Sequence, residues 1–113
     1  MTALLVLCTA PSEEVGASLA RGLVDARLAA CVSLIPSIRS FYRWKGRVED
    51  EGEVQLLIKT TSERFAALSE WVAAAHPYEV PELIGVPIEA GSSSYLGWLR
   101  EQVADLEGGE GIG

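Results

Sequence analysis

Two long extended runs between Ala30 and Thr61, separated by a single turn signal, constrain this chain more than anything else in it. Ile38 to Lys45 is rich in aromatic and β-branched residues, and Gly46 supplies the turn. The return through Arg47 to Thr61 sets Val54, Leu56 and Ile58 on one face against Glu53, Gln55 and Lys59 on the other. Pro36 marks a bend or an unpaired edge in the outgoing arm, and Gly52 is the candidate bulge in the returning one. A strand of about 13 residues spans roughly 43 Å, whereas a helix of about 15 residues covers only ~22 Å. The hairpin therefore overhangs any helix that packs on it, and the overhang carries Phe41, Tyr42, Trp44 and Val48. A bare two-stranded ribbon with exposed aromatics is marginal in water. The sequence thus predicts that these four residues form an interface between copies, with edges paired in a closed ring. A hairpin curled back over its own sheet is the plainer alternative.

The flanking segments define the rest of the fold. Leu4 to Cys8 is a continuous apolar strand, and Ser12 caps a helix opened by Glu13 and Glu14. Val15, Leu19, Leu23 and Val24 form its apolar stripe as far as Arg27. Ser62 is placed to cap a second helix carrying Phe65, Leu68, Val72 and Ala75, which Pro77 stops. Leu83 to Ile88 reads as a last strand, and Ser94 opens a short helix with Tyr95, Trp98, Leu99 and Val103. Two β-α-β units joined by a hairpin give an α+β, ferredoxin-like βαββαβ antiparallel sheet with a short C-terminal helix. Right-handed crossovers put the first and third strands in its centre. Residues 1–104 are expected to form one domain, and 105–113 a flexible, acidic, Gly-rich tail.

A net charge of −7 opposes nucleic acid and anionic membrane surfaces alike, so neither is an expected partner. Met1 to Thr9 lacks a basic leader and is too short to span a bilayer, which points to the cytoplasm. With one histidine and no phosphate-cradling, nicotinamide-binding or Ser-His-Asp pattern, no enzyme is expected. What remains is a possible metal set. Cys8 ends the first strand and His76 ends the second helix, at the same end of the predicted domain, with Glu79 and Glu82 close behind. Cys31 begins the second strand, beyond reach of Cys8. Cys8, His76 and Glu82 would suit copper or zinc. A small apolar cysteine, a histidine at a helix C-terminus and loop-solvating carboxylates account for the same residues more simply. Arg39, Arg43, Lys45 and Arg47 make a basic hairpin that could bind a small anion or form ion pairs between subunits with the Glu49–Glu53 stretch.

Several ordered motifs together resemble the CutA family of divalent-cation-tolerance proteins: Val6-Leu7-Cys8-Thr9-Ala10-Pro11, Leu28-Ala29-Ala30-Cys31-Val32, Tyr42-Arg43-Trp44-Lys45-Gly46, Leu57-Ile58-Lys59-Thr60 and His76-Pro77-Tyr78-Glu79-Val80-Pro81-Glu82. The resemblance implies a homotrimer like the signalling protein P-II, a role in copper tolerance, and Cys8 and His76 as metal ligands. Ala75 departs from the pattern, standing where metal-binding members can carry a second histidine. The implied protein is non-enzymatic and binds divalent ions weakly. A regulatory or scaffold trimer binding a small ligand or protein in clefts near Lys59 and the basic hairpin is the other reading.

Overall fold

The structure is a computed structural model that describes residues 2–104, so the expected tail at 105–113 lies outside the described residues. The elements follow as β1 (Ala3–Ala10), α1 (Glu13–Asp25), β2 (Cys31–Trp44), β3 (Arg47–Thr61), a 3-10 turn (Ser62–Arg64), α2 (Phe65–Ala75), β4 (Ile84–Pro87) and α3 (Ser93–Gln102). The sheet is antiparallel throughout, in the order β2-β3-β1-β4, with the first and third strands central as expected.

Each face of the sheet has its own cover. Val6, Cys8 and Ala10 of β1 and Val54, Leu56 and Ile58 of β3 alternate toward α1 and α2, where Leu19, Leu23, Leu68 and Val72 complete the main core. Val24 of the expected stripe is instead exposed. On the opposite face α3 covers one end, where its Leu99, with Val103 just past it, closes over Ala3 and Ala30. The two core helices approach closely where α1 has Gly22. A Cβ there would stand 2.5 Å from the Trp71 ring, so the indole lies directly on the α1 backbone.

The hairpin is as long as the sequence requires. The molecule measures 50 Å along its longest axis against 29 and 23 Å across. Its 15.1 Å radius of gyration exceeds the about 13 Å of a compact domain of this size. Lys45 and Gly46 both adopt positive φ, 51° and 79°, the geometry of a two-residue type I′ turn whose twist matches the strands. The arm does not fold back, since Phe41 and Val48 remain 63% and 68% exposed.

Four local expectations are corrected. The bulge falls in β2, not at Gly52, which pairs regularly with Arg39. Ile35 faces Gln55 and Ile38 faces Glu53, so Pro36 and Ser37 together oppose Val54, with Ser37 at φ 64°. Proline lacks the N–H that a ladder position would use, and the extra residue absorbs the gap. Ser62 does not cap α2, because its Oγ accepts from the Thr2 N–H at 3.2 Å and its own N–H donates to Thr2 O at 2.7 Å. Ser92 rather than Ser94 caps α3, accepting from the Tyr95 N–H at 3.3 Å. Finally, β4 is only four residues long, within the broader run read from the sequence.

Candidate functional site

The end of β1, the C-terminus of α2 and the base of the hairpin arm converge on one place. Pro77 forces α2 to stop, and His76 leaves the helix in an extended conformation (φ −81°, ψ 139°). Its ring then bridges two backbone groups. Nδ1 accepts from the Tyr78 N–H at 3.1 Å, which fixes the proton on Nε2, and Nε2 donates to Thr9 O at 2.7 Å. The Tyr78 ring packs beside the imidazole with centroids 4.8 Å apart.

From there the chain turns past the strand ends. The Tyr78 hydroxyl donates to Glu53 Oε2 at 2.6 Å, and the side chain of Glu53 is buried. Burial and this hydrogen bond, strengthened by the negative charge of Glu53, push the Tyr78 phenol well above its ordinary range. Gln55 Nε2 donates to Cys8 O at 3.1 Å and to Glu82 Oε1 at 3.3 Å, tying the loop to the central strands. The Cys8 thiol lies on the helix-covered face and donates weakly to Thr9 O at 3.6 Å. Burial, then the charges of Glu82 and Glu53, push it up to about 12.

Cys8 and His76 thus meet at one end of the domain through a shared backbone oxygen, Thr9 O. Among the described residues, no three of His, Cys, Asp and Glu stand together as a set able to hold a metal ion. Both His76 ring nitrogens are engaged and the Cys8 thiol holds its proton, so an ion finds no free soft donor in this arrangement. Cys31, on the opposite face across β3, is a free thiol like Cys8. It receives the Lys59 ammonium at 3.7 Å, and Lys59 also donates to Ser33 Oγ at 2.8 Å.

Beside this cluster runs a groove of about 620 Å³ between the hairpin arm and the 77–82 loop. Tyr42 and Trp44 of the arm, Tyr78, Glu79 and Glu82 of the loop, and Glu53 of β3 line it, and no lysine or arginine among the described residues does. Sequence reading missed Glu53, Gln55 and Tyr78 as members of the site. Tyr78 sits inside the His-Pro-Tyr-Glu motif, but Glu53 and Gln55 look like ordinary solvent-facing residues of an alternating strand.

A βαββαβ sheet of order β2-β3-β1-β4 with its helices on one face is ferredoxin-like, and the overlong β2-β3 hairpin with a His-Pro-Tyr loop at its base narrows that class further. Residues 4–102 match the family of the CutA1 divalent ion tolerance protein, and the chain belongs to this family. Over 97 residues it is 52% identical to the divalent-cation tolerance protein CutA of Thermus thermophilus, a match that covers 86% of this chain and 94% of that one. It is 50% identical over 93 residues to protein CutA of Homo sapiens, 82% of this chain, and it spans about half (52%) of that longer relative. The solved structure of the divalent cation tolerance protein Cut A1 from Thermus thermophilus superposes with a TM-score of 0.88 at 49% identity, covering 90% of this chain and 99% of that one.

Proposed function

We propose that this protein is a non-enzymatic, cytoplasmic homotrimer that contributes to divalent-cation tolerance and holds divalent ions, copper included, weakly, at Cys8, His76 and Glu82 only once these side chains leave the places they hold in the structure. The observation that carries the weakness is the engagement of the His76 ring on Thr9 O and the Tyr78 N–H. An ion at this place must displace the hydrogen bond of one His76 ring nitrogen to gain that ligand and the thiol proton to gain Cys8. With the thiol at about 12, the thiolate fraction at neutral pH is on the order of 10⁻⁵. Trimer formation is supported by the exposed Phe41, Tyr42, Trp44 and Val48 and by the half-covered sheet face.

Calorimetric titration of copper into the purified protein tests the site. Wild type should bind weakly, and Cys8→Ala and His76→Ala should each weaken binding further; affinity unchanged in both removes these residues as ligands. A second reading, a P-II-like regulatory trimer, is favoured by Lys59, whose ammonium has hydroxyl, carbonyl and thiol partners but no carboxylate among the described residues. A melting-temperature rise specific to one nucleotide or organic anion, lost in Lys59→Met, would select that reading.

A further inference from the structure

The groove beside His76 joins carboxylates to aromatic walls without a cation of its own. Glu53, Glu79 and Glu82 line it with Tyr42, Trp44 and Tyr78. Among the described residues, no lysine or arginine pairs with any of the three carboxylates. Glu53 is the most demanding of them. The residue is only 6% exposed, its Oε2 accepts from the Tyr78 hydroxyl at 2.6 Å, and its Oε1 has no hydrogen bond among the described residues. A carboxylate this deeply placed is costly to leave half satisfied. Its field also reaches the arm. Partial desolvation, then the charges of Glu51, Glu53 and Glu49, hold the Tyr42 phenol above its ordinary range.

Two features decide which cation belongs there. The three carboxylates do not converge as a ligand set for one ion, and a hard inorganic ion needs converging oxygens and makes no use of ring faces. An extended organic cation uses both, with separate ammonium groups on separate carboxylates and its methylene stretches against the rings. The groove, at about 620 Å³, has the size of a small-molecule site. Lys45 lies over Trp44, its Nζ 5.8 Å from the ring centroid, and does not line the groove, so the rings left to a ligand are chiefly Tyr42 and Tyr78. We propose that the groove binds a linear aliphatic polyamine, with one ammonium group on Glu53 Oε1 and another on Glu79 or Glu82. The register sets Tyr42 opposite Glu49, while Phe41 and Val48, the most exposed apolar residues of the arm, lie on its other face. A neighbouring copy seated on Phe41 and Val48 leaves the groove open. The inference goes beyond the ion site at Cys8 and His76, with which the groove shares only Glu82.

Calorimetric titration of spermidine into the full chain, with its size followed by light scattering, tests the site. Wild type should bind saturably, one spermidine to each protomer, and putrescine, with one charge fewer, should bind less tightly. Glu53→Gln keeps an acceptor for the Tyr78 hydroxyl and should weaken spermidine by at least about tenfold. Glu79→Lys brings a like charge to the ligand and should weaken it by a similar factor. Circular dichroism verifies the fold of each, and the exposed position of Glu79 keeps the test decisive if Glu53→Gln is unstable. Excess magnesium at equal charge should not displace spermidine, because the groove is read as a shaped site and not as a diffuse negative patch. Affinity unchanged in both variants, displacement by magnesium, or no saturable binding to the wild-type protein overturns the proposal.

Discussion

The near and far halves of the β2-β3 hairpin have the same backbone and opposite situations. Around Leu34 and Leu56 the ribbon lies under α1, with Leu56 and Ile58 wholly excluded from water. Beyond Ile38 and Glu53 it has no helix to lie under, and Phe41 and Val48 stand in solvent. The near half is stabilised within one chain by apolar burial, while the far half has only cross-strand pairs and a well-formed turn to hold it. A single protomer therefore explains where the hairpin begins but not why it is so long. On the trimer proposed above, substitutions in the two halves should report on different equilibria, folding for one and association for the other.

The largest effect is expected at the near half. Leu56→Ala should cost about 2–5 kcal/mol, because the side chain is fully buried and the sheet cannot collapse around the vacancy. Urea unfolding should show the midpoint fall at every protein concentration. Next comes the helix pair above it, where Gly22→Val forces the Trp71 ring off the α1 backbone and should cost about 1–3 kcal/mol, read in the same assay together with a shift in tryptophan emission.

Alkaline pH probes the same buried half. The Cys8 thiol ordinarily ionises near 9 and does so only at about 12 in the fold, so the unfolded chain releases its proton first. Stability from this group is complete below pH 9 and is lost as pH rises toward about 12. Cys8→Ala should be less stable at neutral pH but flatter across that window, and equal slopes would contradict the burial of the thiol. In the far half, Phe41→Ser with Val48→Ser should leave the unfolding free energy of the dissociated protomer within about 0.5 kcal/mol of wild type while weakening assembly, as measured by sedimentation. Smallest of all, Arg39→Gln should give no resolvable change in melting temperature, since this ion pair is fully exposed to water.

The legible parts of the fold were those set by period and length. Alternation in β3 assigned Val54, Leu56 and Ile58 to the core, and Ser12 capped α1 as read, accepting from the Val15 N–H at 3.2 Å. The errors came where a local signal had a tertiary competitor. Ser62 resembles a cap, but Thr2 from the chain start takes both its hydroxyl and its N–H. Gly52 resembles a bulge, yet the missing donor of a proline on the opposite strand had already placed the irregularity at Pro36 and Ser37. At the site, topology correctly brought Cys8 and His76 to one end. It could not show that the imidazole is used on both sides, because one partner is a backbone carbonyl and the other a backbone N–H. Nor could alternation reveal that Glu53 is buried by a tyrosine arriving from the far end of α2.

The bulge at Pro36 and Ser37 divides the ribbon into two modules with separate sequence rules. Beyond it, Ile38 to Trp44 faces Arg47 to Glu53 without a further slip, so the arm can be shortened or extended like a zip, two residues from each strand at a time, with every remaining side chain keeping its face. Removing one from each strand would invert the whole tip. Reach is thus an independently adjustable property of this scaffold, and the domain beneath the helices need not change to accommodate a different arm.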